Sequence, residues 1–352
     1  MRITIDLTAL ATNYAQLRRR AATAEVAAVV KANAYGLGMA PVAARLVAEG
    51  CRTFFVGTLV EGIELRALQS APRIFVLNEL PSDSLHLLAH HKLLPVLNSL
   101  ADARTWARQG AGAPAALQID TGMTRAGLSD QDFRDLHRDS ELKTALNLVL
   151  VLSHLACADE PSRSMNIEQL ERFEHLRQLC PGTPWSLANS AGIFLGARFH
   201  GDLVRPGIAL YGGRPFATGA NPMAEVVRME GQVLQIRELR EPVSVGYGAT
   251  RRVFSPARIA TIGVGYADGY PRALSNCGFA ARSQQRAPLV GRVSMDLLTV
   301  DVSAPMHTGL VVGDYVDLIG GGAPLEEVAA LASTINYELL TSLSRRAQRI
   351  YR

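Results

Sequence analysis

Val29-Val30-Lys31-Ala32-Asn33-Ala34-Tyr35-Gly36-Leu37-Gly38 is the stretch on which the reading of this chain turns. Ala27-Ala28 lead into it, so a short apolar run rich in β-branched residues ends in a lysine. Such a run reads as a strand buried on both faces, as in a parallel sheet. Glycines 36 and 38 follow, and the backbone turns tightly at once. A lysine at the rim of a buried strand is costly to desolvate unless it finds a partner. Burial also lowers its pKa, which makes it a nucleophile or a base. By itself the pattern is also open to a lysine that snorkels to the surface.

Working outward, strand-like runs alternate with amphipathic ones. A helix is expected from residue 7 to about 22, with Leu10, Tyr14 and Leu17 on one face. Strands are expected at 26–31, 53–57, 73–77, 94–97, 116–120, 146–152, 185–188 and 203–210, with helix-like stretches such as 60–68 and 167–179 between them. Eight strands, each followed by a helix, is the count of a (β/α)8 TIM-type barrel. Near 222–226 the character changes. Strands and turns dominate at 226–239, 243–249, 257–266, 289–302 and 310–319, and one helix is expected at 325–333. The expectation is an α/β chain: a barrel over 1–225 and a mainly β domain over 226–352, with the first strand able to join the second domain.

Composition sets the bounds. The 352 residues are 48% hydrophobic and 19% charged, which describes a globular protein with a large core. The net charge of +4 is only weakly basic, and Arg18-Arg19-Arg20 suits a solvated helix end, so no nucleic-acid partner is expected. Cys51, Cys157, Cys180 and Cys277 are far apart and form no Cys-x-x-Cys pair. Neither zinc nor a disulfide framework is suggested, and reduced thiols fit the cytoplasm. The N-terminus alternates like a strand rather than a signal peptide, and no apolar run is long enough to span a bilayer. His86 and His90, one helical turn apart, lack a third ligand, so no metal is expected.

A barrel of this type places its site at the C-terminal ends of the strands, with phosphates held after strands seven and eight. Lys31 follows strand one, Asp120-Thr121-Gly122-Met123-Thr124-Arg125 strand five, and His154 strand six. Asn189-Ser190-Ala191-Gly192 follows strand seven, and Arg205-Pro206-Gly207-Ile208 belongs to strand eight. Ser190 can donate to an anion, and Gly207 lets the backbone approach a ligand. A lysine, two arginines, a histidine and a phosphate-like loop thus point to one mouth. That set suits a carbonyl cofactor carrying a phosphate, and pyridoxal 5'-phosphate fits: lysine for its aldehyde, loops for its phosphate.

The stretch 30–38 resembles the pyridoxal-phosphate signature of the alanine racemases, and the resemblance extends over essentially the whole chain. Further matching blocks are 120–127, His154-Leu155-Ala156-Cys157-Ala158-Asp159-Glu160, Asn189-Ser190-Ala191 and Val204-Arg205-Pro206-Gly207-Ile208. In the second domain they are Gly246-Tyr247-Gly248-Ala249-Thr250, 265–270, Gly291-Arg292-Val293-Ser294-Met295-Asp296 and Ile335-Asn336-Tyr337-Glu338.

The resemblance implies a racemase interconverting L- and D-alanine. It also implies a head-to-tail homodimer whose active sites each combine one barrel with the other subunit's β domain. Lys31 would hold the cofactor as an internal aldimine and then act as base on one face of Cα. Tyr247, from the partner, would be the base on the other face, with its pKa lowered from about 10. His154 and Arg205 would link the tyrosine to the cofactor's ring nitrogen. Arginine is a donor only, so that nitrogen would stay unprotonated. Phosphate contacts would come from Tyr35, Ser190, Tyr337, Gly207 and Ile208, with Asn189 beside them. The substrate carboxylate would meet Arg125 and the backbone of Met295, next to Asp296, with Tyr266 lining the entrance.

One departure stands out. Many members carry a lysine, which can be carbamylated, seven residues before the arginine at 125; here the position is Gln118. Either an anion such as chloride substitutes, or Gln118 and its neighbours hold Arg125. Tyr337 favours a small substrate. The runner-up is a broad-specificity or serine racemase. A cofactor-carrying regulatory protein would lack residues 226–352, and a related decarboxylase would not need Arg125 to retain a carboxylate.

Overall fold

A computed structural model describes residues 1–78, 80 and 85–352. Seven parallel strands run side by side in sequence order: Ala28–Val29, Thr53–Val56, Arg73–Val76, Leu94–Leu97, Pro114–Gln118, Asn147–Leu152 and Trp185–Ser186. The eighth, Leu203–Val204, pairs parallel with Glu25–Val26, directly ahead of the first. On its other side, Arg205 bridges in parallel to Asn189. These pairings close the barrel. Thr53–Val56 and Leu94–Leu97 are buried at every position, as strands covered on both faces must be.

Helices pack outside, started by side-chain caps. The oxygens of Thr58, Ser99, Ser129 and Asp139 accept the third amide of the helices they precede. Asp6 does the same for Leu7–Ala21, whose last turn carries the three arginines. Among the described residues no helix is long and apolar enough to cross a membrane, and no cluster of ligands suited to a metal occurs.

The remainder centres on an eight-stranded sheet organised on Val227–Leu239, which pairs with Arg2–Ile5, Ala257–Ile262 and Tyr315–Ile319, with a separate two-stranded ribbon of Val243–Val245 and Arg251–Val253. Arg2–Ile5 also pairs, in parallel, with Gln348–Tyr351. The chain is therefore a barrel followed by a mainly β region, and the first strand lies in the β sheet.

Several elements differ in detail from the sequence expectation. The eighth barrel strand ends at Val204. Pro206 has no amide to continue a ladder, and Leu210, Tyr211 and Gly213 turn their amides back to Gly207 and Ile208. The strand expected over 243–249 ends at Val245, where Gly246 (φ 73°) sends the chain into a 3-10 turn at Tyr247–Ala249. The strand expected over 257–266 stops at Ile262, and Tyr266–Asp268 is a second such turn. In 289–302 only Leu298–Asp301 is a strand. A hairpin of Phe279–Arg282 and Gln285–Pro288 was not expected. Its turn residues, Ser283 and Gln284, both have positive φ but carry none of the usual glycine or asparagine. Asn336–Thr341 is a helix and Gln348–Tyr351 a strand, neither anticipated.

Candidate active site

Lys31 stands at the barrel rim, after Val29 and Val30. The four residues behind it, Ala32 to Tyr35, all have φ between 53° and 56°. They form one left-handed turn, closed by Ala34 N–H to Val30 O (2.8 Å) and Gly36 N–H to Ala32 O (2.8 Å). For L-residues this costs roughly 1–2 kcal/mol each. It persists because its surroundings fix it. Glu61 accepts from Ala32 N–H (2.6 Å) with one oxygen and from Gly57 N–H (2.8 Å) with the other. The Asn33 side-chain oxygen accepts from Met39 N–H (2.8 Å). Burial, and then the charge of Arg125, lower the Lys31 pKa; Glu61 opposes them.

Lys31 opens onto a cleft of about 550 Å³. Tyr35, Gln118, Arg125, His154, Asn189, Ser190, Arg205, Gly207, Ile208 and Tyr337 line it with Lys31. Eleven candidates named from the sequence, counting Gln118, thus share one mouth. Tyr337 arrives from Asn336–Thr341, so the β-rich part of the same chain closes one wall.

Ser190, Gly207 and Tyr35 meet in a cradle suited to an anion. Ser190 Oγ accepts from the amides of Gly207 (2.9 Å) and Ala209 (3.3 Å), which leaves its proton to donate. A Cβ on Gly207 would sit 2.2 Å from the Tyr35 hydroxyl, so glycine is required for this approach. Tyr35 is wedged between the rings of Tyr211 (4.8 Å) and Tyr337 (5.9 Å). Burial, then the charge of Asp159, push the Tyr337 pKa up to about 12, so it is a donor at neutral pH.

Arg205 is only 5% exposed. Its guanidinium donates to Ser186 Oγ and to the Ser153 carbonyl. Burial lowers its pKa to about 10, and it remains a cation at neutral pH. His154 lines the same cleft, with Asn189 Nδ2 3.5 Å from its Nε2. Burial, then Arg205, Arg125 and Lys31, push its pKa down to about 3, so the imidazole is neutral. Gln169, fully buried, holds the loop beyond His154 by donating to the His154 carbonyl (2.9 Å) and accepting from Ala156 N–H (2.8 Å).

Gln118 donates to the Ala126 carbonyl (3.0 Å), which ties the loop carrying Arg125 to the strand below. Arg125 itself is exposed at the mouth.

Four candidates lie elsewhere. Tyr247 is 72% exposed, in a separate cleft with Arg292, Ser294 and Leu297. Tyr266 (42% exposed) and Met295 (53%) are also on the outer face of the β-rich part. The amides of Tyr266 and Ala267 donate to the carbonyls of Ser294 and Met295 (both 3.0 Å). Asp296 accepts from Arg346 (2.7 Å), which also grips Asp268 (2.6 Å). His86 and His90 stay outside all of this.

Sequence reasoning missed Glu61, Tyr211 and Gln169. Glu61 sits three residues after Thr58, which reads as an ordinary helix start, and nothing in that spacing points to the lysine turn. Tyr211 and Gln169 carry no local signal.

Residues 5–215 match the family described as alanine racemase, N-terminal domain, and residues 226–351 its C-terminal domain. An alanine racemase of Rhodospirillum rubrum is 45% identical over 355 residues, spanning 99% of this chain and 95% of that one. One of Acidiphilium cryptum is 47% identical, spanning 99% and 98%. Among solved structures, the alanine racemase of Bartonella henselae, with covalently bound pyridoxal phosphate, superposes with a TM-score of 0.95. It is 40% identical, with 100% of this chain and 99% of that one covered.

Proposed function

The chain belongs to the alanine racemase family, and from that premise we propose that it interconverts L- and D-alanine with pyridoxal phosphate held at Lys31. The observation that carries the reading is one cleft holding a pKa-lowered lysine, a seryl–glycyl anion cradle and a buried arginine. These donors fit the cofactor. Ser190, Tyr35, Tyr337 and the backbone of Gly207 and Ile208 would hold its phosphate. Lys31 would meet its aldehyde, and Arg205, donor only, its ring nitrogen, with His154 and Asn189 alongside. The cofactor supplies an electron sink that acidifies the proton on Cα.

Lys31 takes or returns that proton on one face. The opposite face needs a second base, and Tyr247 of the partner subunit is our assignment. We propose a homodimer in which the outer face of one β-rich part caps the other's barrel. Exposed Tyr247, Phe254, Tyr266, Met295 and Leu297 support such a contact, since large apolar side chains left open on a surface suit a protein partner. Arg125, with Met295 of the partner subunit, would bind the substrate carboxylate, beside Asp296 of the partner subunit. Tyr266 of the partner subunit would line the way in. The division at 225/226, with Arg2–Ile5 assigned to the second domain, belongs to the same proposal. A cytoplasmic setting fits four free thiols.

The test is a chiral assay of purified protein with each alanine enantiomer, alongside Lys31→Ala. Turnover and the visible imine absorbance are both expected to vanish in the variant. Survival of both would overturn the assignment.

A further inference from the structure

The left-handed turn behind Lys31 is held at its start by Glu61. Its far end is held by the other end of the chain. Arg349 Nη2 donates to the Gly36 carbonyl (2.9 Å), and the Tyr351 hydroxyl donates to the Leu37 carbonyl (2.9 Å). Arg349 is itself fixed, with Nη1 on the Ser344 carbonyl (3.1 Å) and Nη2 also near the Leu343 carbonyl (3.3 Å). Tyr351 belongs to the strand paired with Arg2–Ile5, so a sheet stands behind it. The fit is tight: a Cβ on Gly38 would lie 2.1 Å from the Tyr351 hydroxyl.

A turn of four non-glycine residues with positive φ has a right-handed alternative of lower local energy. Relaxing toward it would rotate the backbone that carries Lys31. Proton transfer is sensitive to such a shift, because a displacement of an ångström at a reacting group already costs rate. We propose that Arg349 and Tyr351 are positioning residues for Lys31, so that the β-rich part sets the lysine's aim within its own subunit. This rests on the racemase reading above and adds to it a role for the β-rich part in cis.

Tyr351→Phe deletes one donor and keeps the ring, and Arg349→Lys keeps the charge but loses the fork. Two readouts on the purified, cofactor-loaded protein test the role. Hydrogen exchange at the amides of residues 36–39 should rise about two- to tenfold in Tyr351→Phe, with the strand Thr53–Val56 unchanged. With α-deuterated alanine, the primary isotope effect should rise only for the enantiomer whose proton faces Lys31. Unchanged exchange at 36–39 overturns the proposal, as does a rise spread over the whole chain. So does an isotope effect that moves equally for both enantiomers, because that reports general loosening. Failure of the racemase reading is visible separately, as unaltered protein that turns over neither enantiomer; the exchange measurement is decided on its own.

Discussion

The barrel mouth and the exposed face of the β-rich part present their candidate groups in opposite ways. At the mouth the polar groups are sunk, cross-linked and shifted in pKa: Arg205 on Ser186 and Ser153, His154 neutral, Ser190 clasped by two amides. On the β-rich part Tyr247, Tyr266 and Met295 stand in the open, on turns held by backbone hydrogen bonds. Groups that bind a charged cofactor gain from a low-dielectric, preorganised setting. A residue that must work in another molecule has to project instead. The contrast teaches that, on the dimer proposed above, one chain would hold a finished half-site and a presented half-site that do not meet within it.

The largest effect should come from breaking the finished half. Lys31→Ala is expected to lower kcat by at least about 10³-fold, read in a chiral assay of both directions. Retention of more than a tenth of the activity would remove the lysine from the chemistry. Breaking the presented half should cost about 10²- to 10³-fold in Tyr247→Phe. Mixing that variant with Lys31→Ala should restore about a quarter of normal activity, since half of randomly paired dimers are mixed and each has one intact site. No recovery in verified mixed dimers would break the link between the halves.

Two smaller effects sharpen the contrast. Gly207→Ala drives a methyl into the Tyr35 hydroxyl, and cofactor affinity should fall about tenfold or more in an equilibrium titration. Ala at Gly248, on the presented side, should leave that affinity unchanged. The least effect is on stability against pH. His154 has its pKa depressed to about 3, so the unfolded chain binds a proton there that the folded chain refuses. Its contribution is present above about pH 6.5 and is lost as pH falls toward 3. A urea midpoint measured from pH 7 to 4 should fall less steeply in His154→Asn.

Much of this could be read from the chain alone, and where it could not the cause is identifiable. Buried parallel strands announce themselves as apolar runs, so Lys31, His154 and Asn189 could be placed at strand ends without coordinates, while Arg205 was read within the eighth strand, whose end at Val204 only the structure gives. The turn Ala32–Tyr35 could not. Alanine is the strongest former of right-handed helix, and contacts distant in sequence, from Glu61, Arg349 and Tyr351 among others, override that preference. The last strand, Gln348–Tyr351, was equally hidden. Gln348 and Arg349 break its apolar pattern and conceal an edge whose partner lies at the opposite end of the sequence. Ser283-Gln284 hid a hairpin because neither residue favours positive φ.

Arg2–Ile5 lies between Val227–Leu239 and Gln348–Tyr351, so the first and last strands of the chain are neighbours. Closing that pair spans nearly the full polypeptide, and such distant pairings form late. On a ribosome all the barrel strands emerge before residue 351 exists. The lysine turn therefore receives its final fastening only after synthesis has passed residue 351, long after the barrel strands are in place.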